Sequence, residues 1–287
     1  MTKPLAALLV LAVAACGGSP ESVAPAAENR APAPADSVAD WSEVFAAEGA
    51  VGTAVLLDAA TGRTIRHAPD RAARRFTPAS TSKIWNALVF LDRGVVADVD
   101  SMHAWDGVER QVSSWNRDHS LRSGVEFSAL WLFQRLAGVV GQDGYAAVLA
   151  REPYGNATMS DSLEMSWLDG SLRVSADEQV VFFDRLRRGD LAFAAGHQAP
   201  VRDLLPTLAE ADGARLRGKT GWGLPPGEPE IGWLVGWVER PTGDVVFAMN
   251  AEAAPGATFD VGPGRLRIVK SVLEEAGVWP AEPEGRP

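Results

Sequence analysis

The stretch Phe76-Thr77-Pro78-Ala79-Ser80-Thr81-Ser82-Lys83 decides how this chain is read. Pro78 restrains the start of a helix, and apolar residues follow at Ile84, Trp85, Ala87, Leu88, Val89, Phe90 and Leu91. A helix here puts the Ser80 hydroxyl and the Lys83 amine on one face, about one turn apart. Apolar surroundings disfavour the charged amine. An unprotonated Lys83 can then accept the Ser80 proton as the serine oxygen attacks a carbonyl. A capping serine and a solvated lysine share this spacing, so the rest of the sequence must discriminate.

With 287 residues, 46% apolar and 22% charged, the chain can bury a sizeable core in one large domain or two closely joined ones. A net charge of -10 and the lack of a basic block argue against a nucleic-acid surface. Cys16 is the single cysteine, so no internal disulfide can form. His67, His103, His119 and His197 are scattered without zinc-site spacing, and neither a dinucleotide fingerprint nor a phosphate-binding Walker loop occurs. No metal and no bound organic cofactor is expected.

Lys3 precedes an apolar run from Leu5 to Ala15, the order of an export signal over residues 1–15. Val13-Ala14-Ala15-Cys16 resembles a bacterial lipoprotein processing box, which implies lipidation of Cys16 and a protein of the bacterial cell envelope anchored facing the periplasm. The other reading is plain secretion, with Cys16 lost in the signal. Residues 16–38 are rich in Gly, Ser, Ala, Pro and Glu and read as a flexible tether. The folded domain is expected over residues 39–278, with a disordered Pro/Glu-rich tail over 279–287.

Val51 to Leu57 reads as a strand, turning through Asp58–Gly62 to a partner at Arg63–His67. The Ser80 helix ends at Arg93-Gly94. Residues 95–123 read as loops and short helices, followed by helices at 125–139, 144–150 and from Asp177, with Ser175 a candidate cap, and a further helix over 199–210. Strands return at 215–222, 231–238 and 245–250 as an antiparallel meander, and a helix from Arg265 or Leu266 to Ala276 closes the domain. Strands at both ends and a helical middle predict an α+β fold, with one antiparallel sheet flanked by helices and a mainly helical insertion.

Further chemistry-bearing residues follow the nucleophile stretch in order. Ser128 is either a helix serine bonded to its own backbone or a proton relay to Lys83. Tyr154-Gly155-Asn156 is a turn by composition. Trp167 is either plain core or an indole donor aimed at the Ser80 region. Lys219-Thr220-Gly221 sits on a strand, where it offers a positive charge, a hydroxyl and close backbone approach to an anion. Lysine is scarce in this arginine-rich chain (Lys3, Lys83, Lys219 and Lys270), which adds weight to two of the four lying in such patterns.

This ordered set closely resembles the class D serine beta-lactamases, the oxacillinase family, over about residues 42–276. Ser80-Thr81-Ser82-Lys83, Ser128-Ala129-Leu130, Tyr154-Gly155-Asn156 and Lys219-Thr220-Gly221 match its four boxes. Trp115-Asn116-Arg117-Asp118, Trp167-Leu168 and Gly232-Trp233-Leu234-Val235-Gly236-Trp237 match the intervals. The resemblance implies the penicillin-recognising serine-enzyme fold, an α/β/α sandwich. It further implies hydrolysis of the beta-lactam amide bond through a Ser80 acyl-enzyme, with Lys83 carboxylated by carbon dioxide or bicarbonate as general base. Trp167 would steady the modified lysine, and Ser128 would pass a proton to the lactam nitrogen. Tyr154, Asn156, Lys219, Thr220, Gly221, Trp222 and Arg265 would bind substrate, Arg265 being preferred to Arg267 for its carboxylate. The backbone N–H groups of Ser80 and Trp222 would form the oxyanion hole.

Three positions depart from the family pattern or leave it open: Leu130 where valine is usual, Ser166 where phenylalanine is frequent, and the short proline-containing segment between Trp222 and Ile231. The expected partners are beta-lactam small molecules, with the protein a monomer or homodimer. Two other readings stay open. One is a beta-lactam sensor or penicillin-binding protein that acylates with little turnover, and the other is a D,D-peptidase.

Overall fold

The computed structural model describes residues 36–281. The signal, Cys16 and most of the tether lie outside the described residues, as does the tail beyond Ala281. Seven strands form one sheet: β1 (Ser37–Val38), β2 (Ala50–Asp58), β3 (Thr64–His67), β4 (Thr207–Ala211), β5 (Ala214–Gly223), β6 (Ile231–Glu239) and β7 (Val245–Ala253). Their order is β1-β3-β2-β7-β6-β5-β4. All neighbours pair antiparallel except β1 with β3. The first and last thirds of the chain therefore build the sheet together, as the element order predicts.

The central strands alternate with period two, so each loads both faces of the sheet. Val55, Trp233, Val235, Trp237, Val246 and Ala248 face one core, and Ala54, Leu56, Leu234, Val238, Phe247 and Met249 face the other. The second core is covered by α1 (Ser42–Ala47) and α8 (Val261–Glu275), through Phe45, Val261, Ile268, Val269, Val272 and Leu273. The first carries α2 (Pro69–Ala73), α3 (Lys83–Asp92), α4 (Leu121–Glu126), α5 (Leu130–Arg151), α6 (Ala176–Arg188) and α7 (Ala195–Arg202). This is an α/β/α sandwich with a helical region on one side. α6 shows the local grammar clearly: Ser175 and Glu178 make a reciprocal capping box, three arginines crowd its last turn, and Gly189 ends it at φ 72°.

Three local expectations are corrected. The helix expected over 125–139 is two helices, α4 and α5, and the break falls on Ser128, whose φ is 54°. The separate helix expected at 144–150 is present: the backbone leaves helical geometry at Gly141, at φ 69° and ψ 169°, and the second half of α5 is a helix of its own. The helix expected over 199–210 ends at Arg202, and Thr207–Ala211 is an edge strand instead. Asp212-Gly213, both at positive φ, makes the two-residue hairpin turn from this strand into β5. Finally, Trp279 is not tail. Its indole is buried against the apolar face of α8, and its backbone N–H donates to the Leu273 carbonyl at 3.0 Å.

The contact that positions the site is between β5 and the 3-10 turn Ala79–Ser82 ahead of α3. A Cβ at Gly221 would lie 2.9 Å from the Pro78 carbonyl oxygen and 3.0 Å from Thr81 Cγ2. Gly223 is nearly as tight, 3.3 Å from Ala79 Cβ. Glycine is thus what lets the strand edge close on the serine turn. Gly221→Ala is expected to push the two apart at a cost of about 1–3 kcal/mol in chemical unfolding, together with loss of activity. A variant with unchanged midpoint and rate would contradict this.

Candidate active site

Ser80 lies in the middle of the 3-10 turn and is half-buried, while Lys83 opens α3 and is fully buried. The Lys83 Nζ–Ser80 Oγ distance is 3.0 Å. The Phe133 ring centroid stands 5.2 Å from the same amine. Burial pulls the Lys83 amine from 10.5 down to about 7, with no carboxylate offsetting it. The pair expected from sequence is therefore formed, and the amine is poised to be uncharged near neutral pH.

The turn itself is strained and held. Ala79 has φ 47°, a left-handed conformation that non-glycine residues seldom adopt. The Ala79 N–H donates to the Trp167 carbonyl at 3.0 Å, and its own carbonyl accepts from Ser82 Oγ at 2.7 Å. Trp233 Nε1 donates to the Thr77 carbonyl at 2.9 Å. Strain persists where surrounding bonds over-determine it, and here they come from a loop, a strand and the turn.

A second hydroxyl–amine pair faces the first. Lys219 Nζ donates to Ser128 Oγ at 2.7 Å and to the Thr220 carbonyl at 3.0 Å. Burial, and then the positive charges of Lys83 and Arg265, hold Lys219 well below the ordinary lysine range. Ser128 reaches this position because the chain leaves the helical path there. Trp115 Nε1 donates to the Phe127 carbonyl at 2.9 Å, and Trp131 Nε1 donates to the Trp115 carbonyl at 2.8 Å. Those bonds fix the α4–α5 break from outside.

Arg265 sits one turn into α8, largely buried, its guanidinium donating to the Gly221 carbonyl. Gly232 makes the room, since a Cβ there would meet Arg265 Cγ at 3.1 Å. Burial lowers Arg265 to about 10. Arg267 instead points outward and forms a two-pronged ion pair with Glu48 at 2.7 and 2.6 Å. Of the two arginines, the structure brings Arg265 to the Lys219–Gly221 segment. Thr220 and Trp222 lie on the accessible side of β5, Trp222 being 53% exposed with its indole N–H on Glu230.

Trp167 is fully buried, and its Nε1 has no hydrogen-bond partner in the described protein. Its backbone is tied to the Ser80 turn through Ala79. Ser166, also buried, accepts from the Ser160 N–H at 3.0 Å and so braces this loop by hydrogen bonds where an aromatic ring would brace it by packing. Leu130 opens α5 and is half-buried against the helical core.

Tyr154 and Asn156 correct the expectation of substrate contact. Tyr154 is 2% exposed, stacked on Trp85 at 5.2 Å, and its hydroxyl donates to Gln179 Oε1 at 3.1 Å. Asn156 Nδ2 donates to the Ser171 carbonyl at 2.7 Å, and its Oδ1 accepts from the Arg173 N–H at 2.9 Å. A ring wedged between aromatics and an amide saturated by backbone leave nothing for a ligand. Sequence reasoning passed over Gln179 and the Arg173–Glu228 ion pair, which ties the Trp167 loop to the β5–β6 loop. Each joins residues far apart in sequence, so no local signal marks it.

Comparison with known proteins agrees with this geometry. The model of the penicillin binding protein transpeptidase domain matches residues 52–274. The chain is 38% identical to Beta-lactamase OXA-2 of Salmonella typhimurium over 246 residues, 85% of this chain and 86% of that one. The chain belongs to the class D beta-lactamase family. FUS-1 (OXA-85), a class D beta-lactamase from Fusobacterium nucleatum subsp. polymorphum, matches with TM-score 0.76 and 33% identity, over 83% of this chain and 97% of that one. The C-terminal domain of the Bacillus licheniformis BlaR penicillin-receptor matches with TM-score 0.79 and 31% identity, over 87% and 100%.

For a class D beta-lactamase site, the Lys83 environment sets a pH dependence. Below about pH 7 the buried amine is protonated and cannot accept from Ser80, and above it the acceptor is present. Covalent labelling by a beta-lactam, followed by mass spectrometry in bicarbonate-free buffer, is expected to speed up through a midpoint of about pH 7. A labelling rate that does not change across neutral pH would rule this out.

Proposed function

We propose that the chain hydrolyses the beta-lactam amide bond by a two-step mechanism on Ser80. The observation that carries it is the fully buried, carboxylate-free Lys83 amine 3.0 Å from Ser80 Oγ. In the first step Ser80 Oγ forms a bond to the lactam carbonyl carbon while its proton passes to the Lys83 side chain. The backbone N–H groups of Ser80 and Trp222, on the turn and the strand that meet at Gly221, would stabilise the oxygen that gains charge. The carbon–nitrogen bond then breaks, and Ser128 Oγ delivers a proton to the leaving nitrogen. Lys219, 2.7 Å away, supports that hydroxyl. The proton held at Lys83 then refills Ser128, which leaves Lys83 an acceptor again. In the second step water attacks the ester carbonyl and gives a proton to the Lys83 side chain, the ester bond breaks, and that proton returns to Ser80 Oγ.

The substrate carboxylate is read as bound by Thr220, Lys219 and Arg265. Arg265, which stays charged at neutral pH, and the Lys219 amine and Thr220 hydroxyl beside it favour an anion there. Carbon dioxide, added to the unprotonated Lys83 amine, would supply an anionic oxygen acceptor. The residues fit that group, since the orphaned Trp167 indole N–H is a buried donor with no protein acceptor. Leu130 would then tune how readily water reaches the ester.

We further read residues 1–15 as an export signal cleaved before Cys16, with lipid attachment at Cys16 holding the domain at a periplasmic membrane face. The receptor-like alternative draws on the TM-score of 0.79 to the penicillin-receptor domain, and predicts acylation without turnover.

Steady-state hydrolysis of a chromogenic cephalosporin with added bicarbonate separates these readings. Many turnovers per protein are expected. Ser80→Ala should abolish both turnover and labelling, and Lys83→Ala should abolish turnover. One equivalent of label with no further release would favour the receptor reading. Arg265→Ala is expected to raise KM by about 10- to 100-fold, or about 1.4–2.7 kcal/mol, and Arg267→Ala to leave it within about twofold. The reverse order would move the carboxylate site to Arg267.

A further inference from the structure

Gln179 is buried in α6, 98 residues from Thr81 in sequence, and is absorbed by none of the roles above. It stands in the middle of a chain of hydrogen bonds that ends on the nucleophile turn. The Tyr154 hydroxyl donates to Gln179 Oε1 at 3.1 Å. Gln179 Nε2 donates to Thr81 Oγ1 at 2.8 Å. The Thr81 hydroxyl donates to the Pro78 carbonyl at 2.7 Å. Tyr154, Gln179 and Thr81 are each at most 2% exposed, so water does not compete for these bonds.

The chain has a direction. A hydroxyl carries one proton, so Tyr154 can serve Oε1 and Thr81 can serve Pro78 only if the amide shows its N–H to Thr81. Tyr154 is itself clamped, stacked on Trp85 at an interplanar angle of 8° and edge-on to Phe182 at 72°. The far end is the peptide plane between Pro78 and Ala79. Its carbonyl is held by Thr81, and its N–H is held by Trp167. The next residue bond along is Ala79 at φ 47°, and Ser80 follows. A strained backbone keeps its geometry when its peptide planes are pinned on both sides.

We propose that Gln179 is a positioning residue for the nucleophile: it keeps the strained Ala79 backbone in place, and thereby aims Ser80 Oγ at its target. This rests on the reading of Ser80 as the acylated residue. It also gives the Tyr154 box a role in this chain other than touching substrate. Near-attack placement is sensitive to shifts of about 1 Å, so the effect falls on the acylation step and not on encounter with substrate.

The test uses Gln179→Leu, Gln179→Glu and, for comparison, Gln198→Leu. Gln198 is another buried glutamine, and its side-chain hydrogen bonds go to the Leu191 and Phe193 backbone, none to the Ser80 turn. Rapid-mixing acylation of the full chain gives a binding constant and a first-order acylation rate, both referred to folded protein by a parallel thermal melt. For Gln179→Leu, acylation is expected to slow by about tenfold or more with binding within about twofold, while Gln198→Leu loses Tm without losing rate per folded molecule.

Gln179→Glu adds a signature of its own and carries the test if the leucine variant does not fold. A protonated carboxyl can donate to Thr81 as the amide does. An ionised one cannot, and draws the Thr81 proton away from Pro78. Its rate relative to the unaltered protein is expected to be near one in acid and to fall as pH rises. A Gln179→Leu protein that acylates at the unaltered rate, a pH-independent ratio for Gln179→Glu, or an equal loss in Gln198→Leu would overturn the proposal. Failure of the unaltered protein to acylate on Ser80 would overturn the Ser80 reading itself, and is seen separately in the same data.

Discussion

An amine buried without a counter-ion governs this structure. Lys83 is surrounded by the apolar first turn of α3, the Phe133 ring and the serine turn, and burial alone holds it near neutrality at about 7. A charged ammonium in that place is costly unless paired, and no acid is offered. The same constraint reaches Lys219, whose charge is further disfavoured by Lys83 and Arg265. Two amines that would be ordinary surface cations elsewhere are thereby placed as hydrogen-bonding partners of two hydroxyls, Ser80 and Ser128, at 3.0 and 2.7 Å.

The sheet exists at this point to bring those pairs together. β5 supplies Lys219, and the α4–α5 break supplies Ser128. α3 with its preceding turn supplies Ser80 and Lys83, while α8 supplies Arg265. Gly221 and Gly232 are the clearances that let these elements meet, one against Pro78 and the other against Arg265. Two of the five non-glycine residues at positive φ among the described residues, Ala79 and Ser128, lie in the same place. Non-glycine residues in that left-handed region cost on the order of 1–3 kcal/mol each, and bonds from a loop, a strand and the turn itself sustain Ala79.

Much of this was legible in the sequence. The strand periodicities, the helical middle and the return of the sheet all follow from local pattern, and the Ser80, Lys83, Ser128 and Lys219 assignments follow from ordered motifs. The limits have physical reasons. Ser128 lies in a run that is helical by composition, and its departure from the helix is imposed by Trp115 bonding across the break. The edge strand β4 was signalled by Asp212-Gly213 and hidden by the helical character of the preceding segment. Tyr154 carries a motif that suggests substrate, but stacking on Trp85 turns it inward. Gln179 and the Arg173–Glu228 pair act across 98 and 55 positions, and such contacts leave no mark in a local window.

The central claim is that Ser80, with Lys83 as its proton acceptor, carries a transient covalent intermediate. Its most direct measurement is time-resolved mass spectrometry during beta-lactam turnover, with the adduct mapped by peptide. The account predicts one adduct, on Ser80, that rises and then decays faster when bicarbonate is present. An adduct on another residue, or a Ser80 adduct that persists regardless of bicarbonate, would contradict it.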